Sequence, residues 1–327
     1  MKLKSFAWLG LLLAAGTASA KEFQVGVVLD RAGKDDKSFN TAAYQGAMKA
    51  KEDLKIDVKI IEPRDISSYE PSLETLASRG YDLIFGIGFA HKEAVEKVAK
   101  RYPKLKFAIV DSKVDLPNVA SLMFEEQEGS FLVGMIAALK SKSGTIGFVG
   151  GMDIPLIRRF EMAYRAGAQY ARPDIRVIQN YIGVTNEAFT DPTKAKELTT
   201  SQASQGADVV FHAAGTSGLG VFEAAENKKI YAIGVDSNQN WVKPGVVLTS
   251  MLKRVDVAVF ETIQQAKDGK FVAGVHKFDL KNKGIDYAVD QYNKALMDAS
   301  TTTKVEQAKT KIIAGKLPVP DYYKEKK

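Results

Sequence analysis

The chain has 327 residues, 45% of them hydrophobic and 26% charged, with 46 basic against 39 acidic side chains and no cysteine. The missing cysteine excludes disulfide scaffolds, thiolate metal sites, cysteine nucleophiles and lipid attachment through an N-terminal cysteine. The formal charge of +7 is spread along the sequence and is dense only in the terminal Tyr-Lys-Glu-Lys-Lys, so nucleic acid is not an expected partner.

Lys2 and Lys4 precede an apolar stretch from Phe6 to Ala15 and the small-residue pattern Ala18-Ser19-Ala20. This reads as a secretory signal over 1–20, cleaved after Ala20. The stretch is shorter than the roughly 20 residues that a spanning helix needs. The mature chain then begins at Lys21 with 44 basic and 39 acidic side chains, and its length, about 300 residues, suits two lobes better than one core.

Short runs rich in Val, Ile and Phe alternate with amphipathic stretches, the pattern of βαβ units on a parallel sheet. The first series predicts strand 23–30, helix 38–53, strand 58–63, helix 69–79, strand 82–88, helix 90–102 and strand 106–111. After NVASLMF a helical stretch from Glu128 to Lys142 leads into a second series. That series predicts strand 144–149, helix 157–171, strand 176–182, helix 192–205, strand 208–213, helix 218–228 and strand 230–235. The tail breaks the alternation: VVLTSMLKRVDVAVFETIQQAKDGK reads as a strand running into a helix, VHKFDLKNKGIDYAVD as a strand pair, and Val305 to Ala314 as a final helix. Crossings between the lobes are expected near Phe124 to Gln127 and near Lys253, and two hinged lobes enclose a cleft.

In open parallel sheets ligands bind beyond the carboxyl ends of the strands. Asp30, Ser38, Phe39 and Asn40 stand at the first such end, Gly86, Gly88, Phe89 and Ala90 at the third, and Asp111 and Ser112 at the fourth. The second series offers Gly150 to Asp153, Phe189 and Asp191, Ala213 to Ser217, and Asp236 to Asn238. Ser38 and Asp191 occupy positions where helix caps are wanted, and Asp191 is followed by Pro192. Asp111 and Asp236 each end an apolar strand with no helix directly behind, which favours a functional role. Phe39 and Phe189 are apolar rings in polar loops, one per series; either they sandwich a flat heterocycle or each is a staple under its own loop.

Other motifs carry less. Gly215-Thr-Ser-Gly218-Leu-Gly220 departs from the dinucleotide fingerprint and reads instead as backbone approaching a ligand at a helix start. Lys253 is either a surface charge or a donor reaching a ligand oxygen beside Asp236. His91, His212 and His276 lie in unrelated segments, and no spacing among them promotes a metal site or a triad.

The segments VGVVLD with DKSFN, GIGF, EEQEGSFLVGMIAALKSK, TIGFVGGMDIPLIRRFEMAYRAG, FHAAGTSG, IGVDSNQ and LTSMLKRVDVAVF occur in this order. Together they resemble the basic-membrane-protein family of substrate-binding proteins for ABC importers, which includes purine nucleoside receptors. The resemblance implies a type I periplasmic-binding-protein fold, α/β, with two doubly wound Rossmann-like lobes joined by a three-crossing hinge. The expected lobes are 21–125 plus 254–281, and 126–253 plus 282–327. The resemblance also implies that Phe39 and Phe189 hold the base, Asp111 and Asn40 meet its nitrogen edge, and Asp236 and Lys253 hold the ribose hydroxyls. Asp30 would support the base-side network and Gly215 would bring backbone close to the sugar. Asn238 stands where an acidic residue is frequent in the family and is expected to alter the sugar side.

The expectation is therefore a periplasmic, non-catalytic, monomeric nucleoside receptor that needs no cofactor or metal and delivers its ligand to an ABC permease in the inner membrane. Three alternatives stay open at this point. They are a secreted nucleoside-processing enzyme, a receptor for a free base or a flavin, and a sensor subunit that signals to a membrane kinase.

Overall fold

The computed structural model describes residues 22–325; the expected signal segment and its cleavage point lie outside them. The first series forms β1 (Gln24–Val28), α1 (Phe39–Leu54), β2 (Asp57–Ile61), α2 (Tyr69–Ser78), β3 (Leu83–Gly86), α3 (Lys92–Arg101), β4 (Lys106–Val110) and β5 (Val119–Phe124). The second forms α4 (Glu126–Lys140), β6 (Thr145–Met152), α5 (Pro155–Ala171), β7 (Arg176–Gly183), α6 (Pro192–Ser204), β8 (Val209–Ala213), α7 (Gly218–Lys228), β9 (Tyr231–Asp236) and β10 (Val247–Lys253). Then follow α8 (Val255–Lys267), β11 (Gly274–Phe278), β12 (Ile285–Tyr287), α9 (Ala299–Ile313) and α10 (Tyr322–Glu325).

These make two six-stranded sheets, ordered β11-β5-β4-β3-β1-β2 and β12-β10-β9-β8-β6-β7. Every pairing is parallel except β10 with β12. Strands such as LIFG and VVFHA are buried at every residue, because helices cover both faces of a parallel sheet and leave no polar side.

Small residues set how closely the helices approach. A Cβ at Gly134 of α4 would lie 2.1 Å from the Tyr164 carbonyl oxygen of α5, and one at Gly167 of α5 would lie 1.9 Å from the Phe131 carbonyl oxygen of α4. The two helices thus pack backbone against backbone through reciprocal glycines. Gly46 of α1 meets the Asp256 carbonyl of α8 in the same way, at 2.2 Å, which draws the late helix onto the first sheet.

VHKFDLKNKGIDYAVD is not a strand pair. β11 joins the first sheet beside β5, and β12 joins the second sheet beside β10, so the Asp279–Gly284 turn between them carries the chain from one sheet to the other. With the steps from β5 to α4 and from β10 to α8, the chain crosses three times. Arg159 of α5 ties this region together. Its Nη1 donates to the Phe124 carbonyl at 2.5 Å and to Glu126 Oε2 at 2.7 Å, while its Nε donates to Asp321 Oδ1 at 2.9 Å.

Candidate ligand-binding site

The carboxyl ends of both sheets face one cavity lined by residues from both series, the place where open parallel sheets bind ligands. Asp30, Phe39, Asn40, Asp111, Phe189, Gly215, Asp236 and Lys253 all line it. β4 and β9 occupy the same place in the order of their sheets. Asp111 and Asp236, at their ends, both turn into the left-handed region, with φ 66° and 65°. That region is strained for a side chain bearing a Cβ, and Asp tolerates it better than most. The turn carries each carboxylate off its sheet into the cavity.

The side chain of Lys253 is 2% exposed; its Nζ lies 2.7 Å from Asp111 Oδ2 and 3.0 Å from Glu126 Oε1. The same ammonium sits 5.3 Å from the centre of the Phe39 ring and 5.1 Å from that of Phe124. It is therefore no surface charge. Asp111 Oδ1 is buried and has no hydrogen-bond partner. Burial pushes the Asp111 carboxyl up to about 7 although Lys253 pulls it down. Burial also pushes Asp236 up to about 6 against the pull of Lys253 and of its bond from Ser38. The three carboxylates around it hold Lys253 protonated in spite of its burial.

The rings come from both halves. Phe39 opens α1, and Phe189 ends the 3-10 turn Asn186–Phe189 between β7 and α6. Phe89 meets Phe189 edge-on at 6.3 Å and 64°, a favoured aromatic arrangement. Phe160, Leu156 and Ile157 of α5 complete the apolar lining. Gly215, at φ 55°, lets the chain pass close to Phe189: a Cβ there would be 3.3 Å from the Phe189 carbonyl oxygen. Gly218 and Gly220 serve packing, since a Cβ on them would strike the His212 ring at 2.0 Å and the Pro192 carbonyl at 1.8 Å.

Behind the first strand end lies a supporting layer. The Asp30 amide donates to Asn40 Oδ1 at 2.9 Å, and Asn40 Nδ2 donates to Asp36 Oδ2 at 3.2 Å. Tyr69 donates its hydroxyl to Asp30 Oδ1, and the Tyr69 ring stacks on His91 at 3.8 Å. His91 is fully buried, and that burial holds it neutral, with its pKa lowered to about 3.

Two expectations need correction. Ser38 makes no cap with its side chain; Asp36 accepts the helix-start amides of Ser38, Asn40 and Thr41 instead. Asp36 is accordingly buried. Asn238 does not line the cavity and donates to Asp290 Oδ2 at 2.6 Å on the exposed side. Asp191 does cap α6, accepting from the Lys194 amide at 2.9 Å. Sequence reasoning missed Glu126, which pairs with Lys253, and the lining residues Leu156, Ile157 and Phe160, because helices contribute them and a search of strand ends passes them by.

The profile of the family described as ABC transporter substrate-binding protein PnrA-like matches residues 23–322. The chain belongs to this Bmp family. It is 36% identical to the ABC transporter nucleoside-binding protein BmpA of Lactococcus lactis, over 94% of this chain and 92% of that one. It is also 36% identical to a CD4+ T-cell-stimulating antigen of Listeria monocytogenes, over 93% and 89%. A solute-binding protein of an ABC transporter system from Aeropyrum pernix superimposes with a TM-score of 0.84 at 32% identity, covering 91% of this chain and 94% of that one. The two sheets with their covering helices form the type I periplasmic-binding-protein fold. As a substrate-binding protein of an ABC transporter, the chain has a small-molecule ligand and a permease partner. Among the described residues no helix is long and apolar enough to cross a membrane.

Proposed function

We propose that the protein is a periplasmic receptor that binds a purine nucleoside in the cavity between its two sheets and presents it to an inner-membrane permease. In this reading Phe39 and Phe189 hold the base, Asp111 and Asn40 take its nitrogen edge, and Asp236 and Lys253 hold the ribose hydroxyls. Asp30 steadies the base side through Asn40, and Gly215 gives the sugar access to backbone. The role of Lys2, Lys4 and Ala18-Ser19-Ala20 is export, followed by release after Ala20. The lobes that close on the ligand are 21–125 plus 254–281, and 126–253 plus 282–327.

The observation that carries the reading is the pair of strand-end carboxylates set among aromatic rings. Asp111 Oδ1 is a buried acceptor without a donor, and leaving such an atom unmet costs about 1–3 kcal/mol. A base N–H satisfies it. A vicinal diol gives a carboxylate such as Asp236 two donors at once, so a ligand lacking those hydroxyls binds more weakly. The nucleoside-binding relative from Lactococcus lactis supports the same ligand class.

The test is titration calorimetry of protein unfolded and refolded to strip bound ligand, with adenosine, guanosine, inosine and the matching bases. Micromolar or tighter binding of a nucleoside, stronger than that of its base, is the expected result; no heat with any nucleoside contradicts it. Overnight incubation with the bound nucleoside is expected to leave it intact, and release of free base at a catalytic rate would replace the receptor by an enzyme.

A further inference from the structure

Ser38 is fully buried and precedes two cavity residues, Phe39 and Asn40. Because Asp36 serves the start of α1, the Ser38 hydroxyl is free for another partner. That partner lies in the other half of the molecule. Ser38 Oγ lies 2.6 Å from Asp236 Oδ2 and 3.2 Å from the Val235 carbonyl oxygen. A hydroxyl has one hydrogen, and the shorter contact to a carboxylate is the stronger acceptor. In the reverse direction, Ser237 Oγ donates to the Ser38 carbonyl oxygen at 2.7 Å. Two bonds therefore close one seam, between the loop behind β1 and the end of β9, and they form only when the two halves meet.

The two bonds differ in what they touch. The bond from Ser237 reaches backbone alone. The bond from Ser38 engages one lone pair of Oδ2 of a carboxylate that lines the cavity and stands on a left-handed residue, which fixes the plane of that carboxylate and leaves Oδ1 and the second lone pair of Oδ2 for a ligand's two hydroxyls. We propose that Ser38 is a positioning residue: lobe closure, through its hydroxyl, turns Asp236 into the orientation that receives the ligand's hydroxyl pair. Ser38 thereby makes preference for a ribose diol a property of the closed state alone. The inference rests on the nucleoside reading above and adds to it the residue that makes the sugar subsite conditional on closure.

The experiment compares wild type, Ser38→Ala and Ser237→Ala, each refolded free of ligand, with adenosine and with 2′,3′-dideoxyadenosine. Calorimetry gives the affinities and stopped-flow displacement gives the release rates. Ser38→Ala is expected to weaken adenosine about tenfold, the size of one charge-assisted hydrogen bond, mainly through faster release, and to weaken the dideoxynucleoside about twofold or less. Ser237→Ala, which loosens the seam without touching Asp236, is expected to weaken both ligands by the same factor. Equal losses for the two ligands in Ser38→Ala, or no loss in either, overturn the proposal while leaving the nucleoside reading standing. No binding of adenosine by wild type overturns both.

Discussion

Asp111 and Asp236 hold one address in two sheets. Each stands at the carboxyl end of the third strand in its sheet's order, each ends an apolar run, and their φ angles differ by a single degree. Their partners are unlike. Asp111 gives one oxygen to the Lys253 ammonium and keeps the other unmet, whereas Asp236 takes a neutral hydroxyl from Ser38. Repeating the fold thus repeated the backbone device that lifts a carboxylate off the sheet and left the surrounding chemistry free to diverge. One carboxylate is tied to a permanent charge, and the other to a hydroxyl from the opposite half of the molecule.

The largest way to break the comparison is to remove the charge. Lys253→Met leaves Asp111 and Glu126 buried without their cation, and a broken buried pair costs about 3–5 kcal/mol. Chemical denaturation should show a loss of that size, and Asp236→Asn, whose partner is neutral, should cost far less. Next in size is ligand discrimination. Asp236→Asn is expected to weaken a nucleoside about a hundredfold and the corresponding base less than about threefold, while Asp111→Asn should weaken both by similar factors. Calorimetry with the two ligands reads the contrast directly.

pH sharpens it further. Burial raises Asp111 to about 7 and Asp236 to about 6, well above an unfolded aspartate. For a group raised in the folded state, the stability it contributes is present below the unfolded pKa and is lost as pH rises through the folded one. The stability difference between wild type and Asp111→Asn should therefore move against wild type between about pH 4 and 7. Ligand binding has the opposite sign, since an ionised carboxylate accepts from hydroxyls and amines more strongly, and through more lone pairs, than a protonated one. Nucleoside affinity should rise over that same interval, and Asp236→Asn should keep only the portion of the rise due to Asp111. The smallest effect belongs to Asn238→Asp, which places a second carboxylate beside Asp290 outside the cavity. It should leave affinity within about twofold and lower stability by about 1 kcal/mol.

How much of this the sequence disclosed follows from what each feature depends on. β4 and β9 are readable because a strand buried on both faces is a continuous apolar run, and KFAIVD and YAIGVD end on a residue that such a run excludes. The eight residues picked at strand ends and by family likeness share one cavity because the fold gathers strand ends. Ser38 was misread as a cap because Asp36, two residues earlier, competes for the same amides, and only the three-dimensional turn decides which side chain reaches them. β11 and β12 look like a hairpin because each is short and the turn between them is brief; their separation depends on which sheet has an open edge. Glu126 and Phe160 lie on helices whose patterns announce burial and not what they are buried against.

The central claim is that a flat ring sits between Phe39 and Phe189 while its sugar faces Asp236. A crystal structure of the refolded protein with inosine tests this most directly. The account predicts the purine between those two rings, a base nitrogen within hydrogen-bonding reach of Asp111 Oδ1, and both ribose hydroxyls on the Asp236 carboxylate. A purine bound away from the two rings, or a sugar turned towards Asp111 with the base at Asp236, would contradict it.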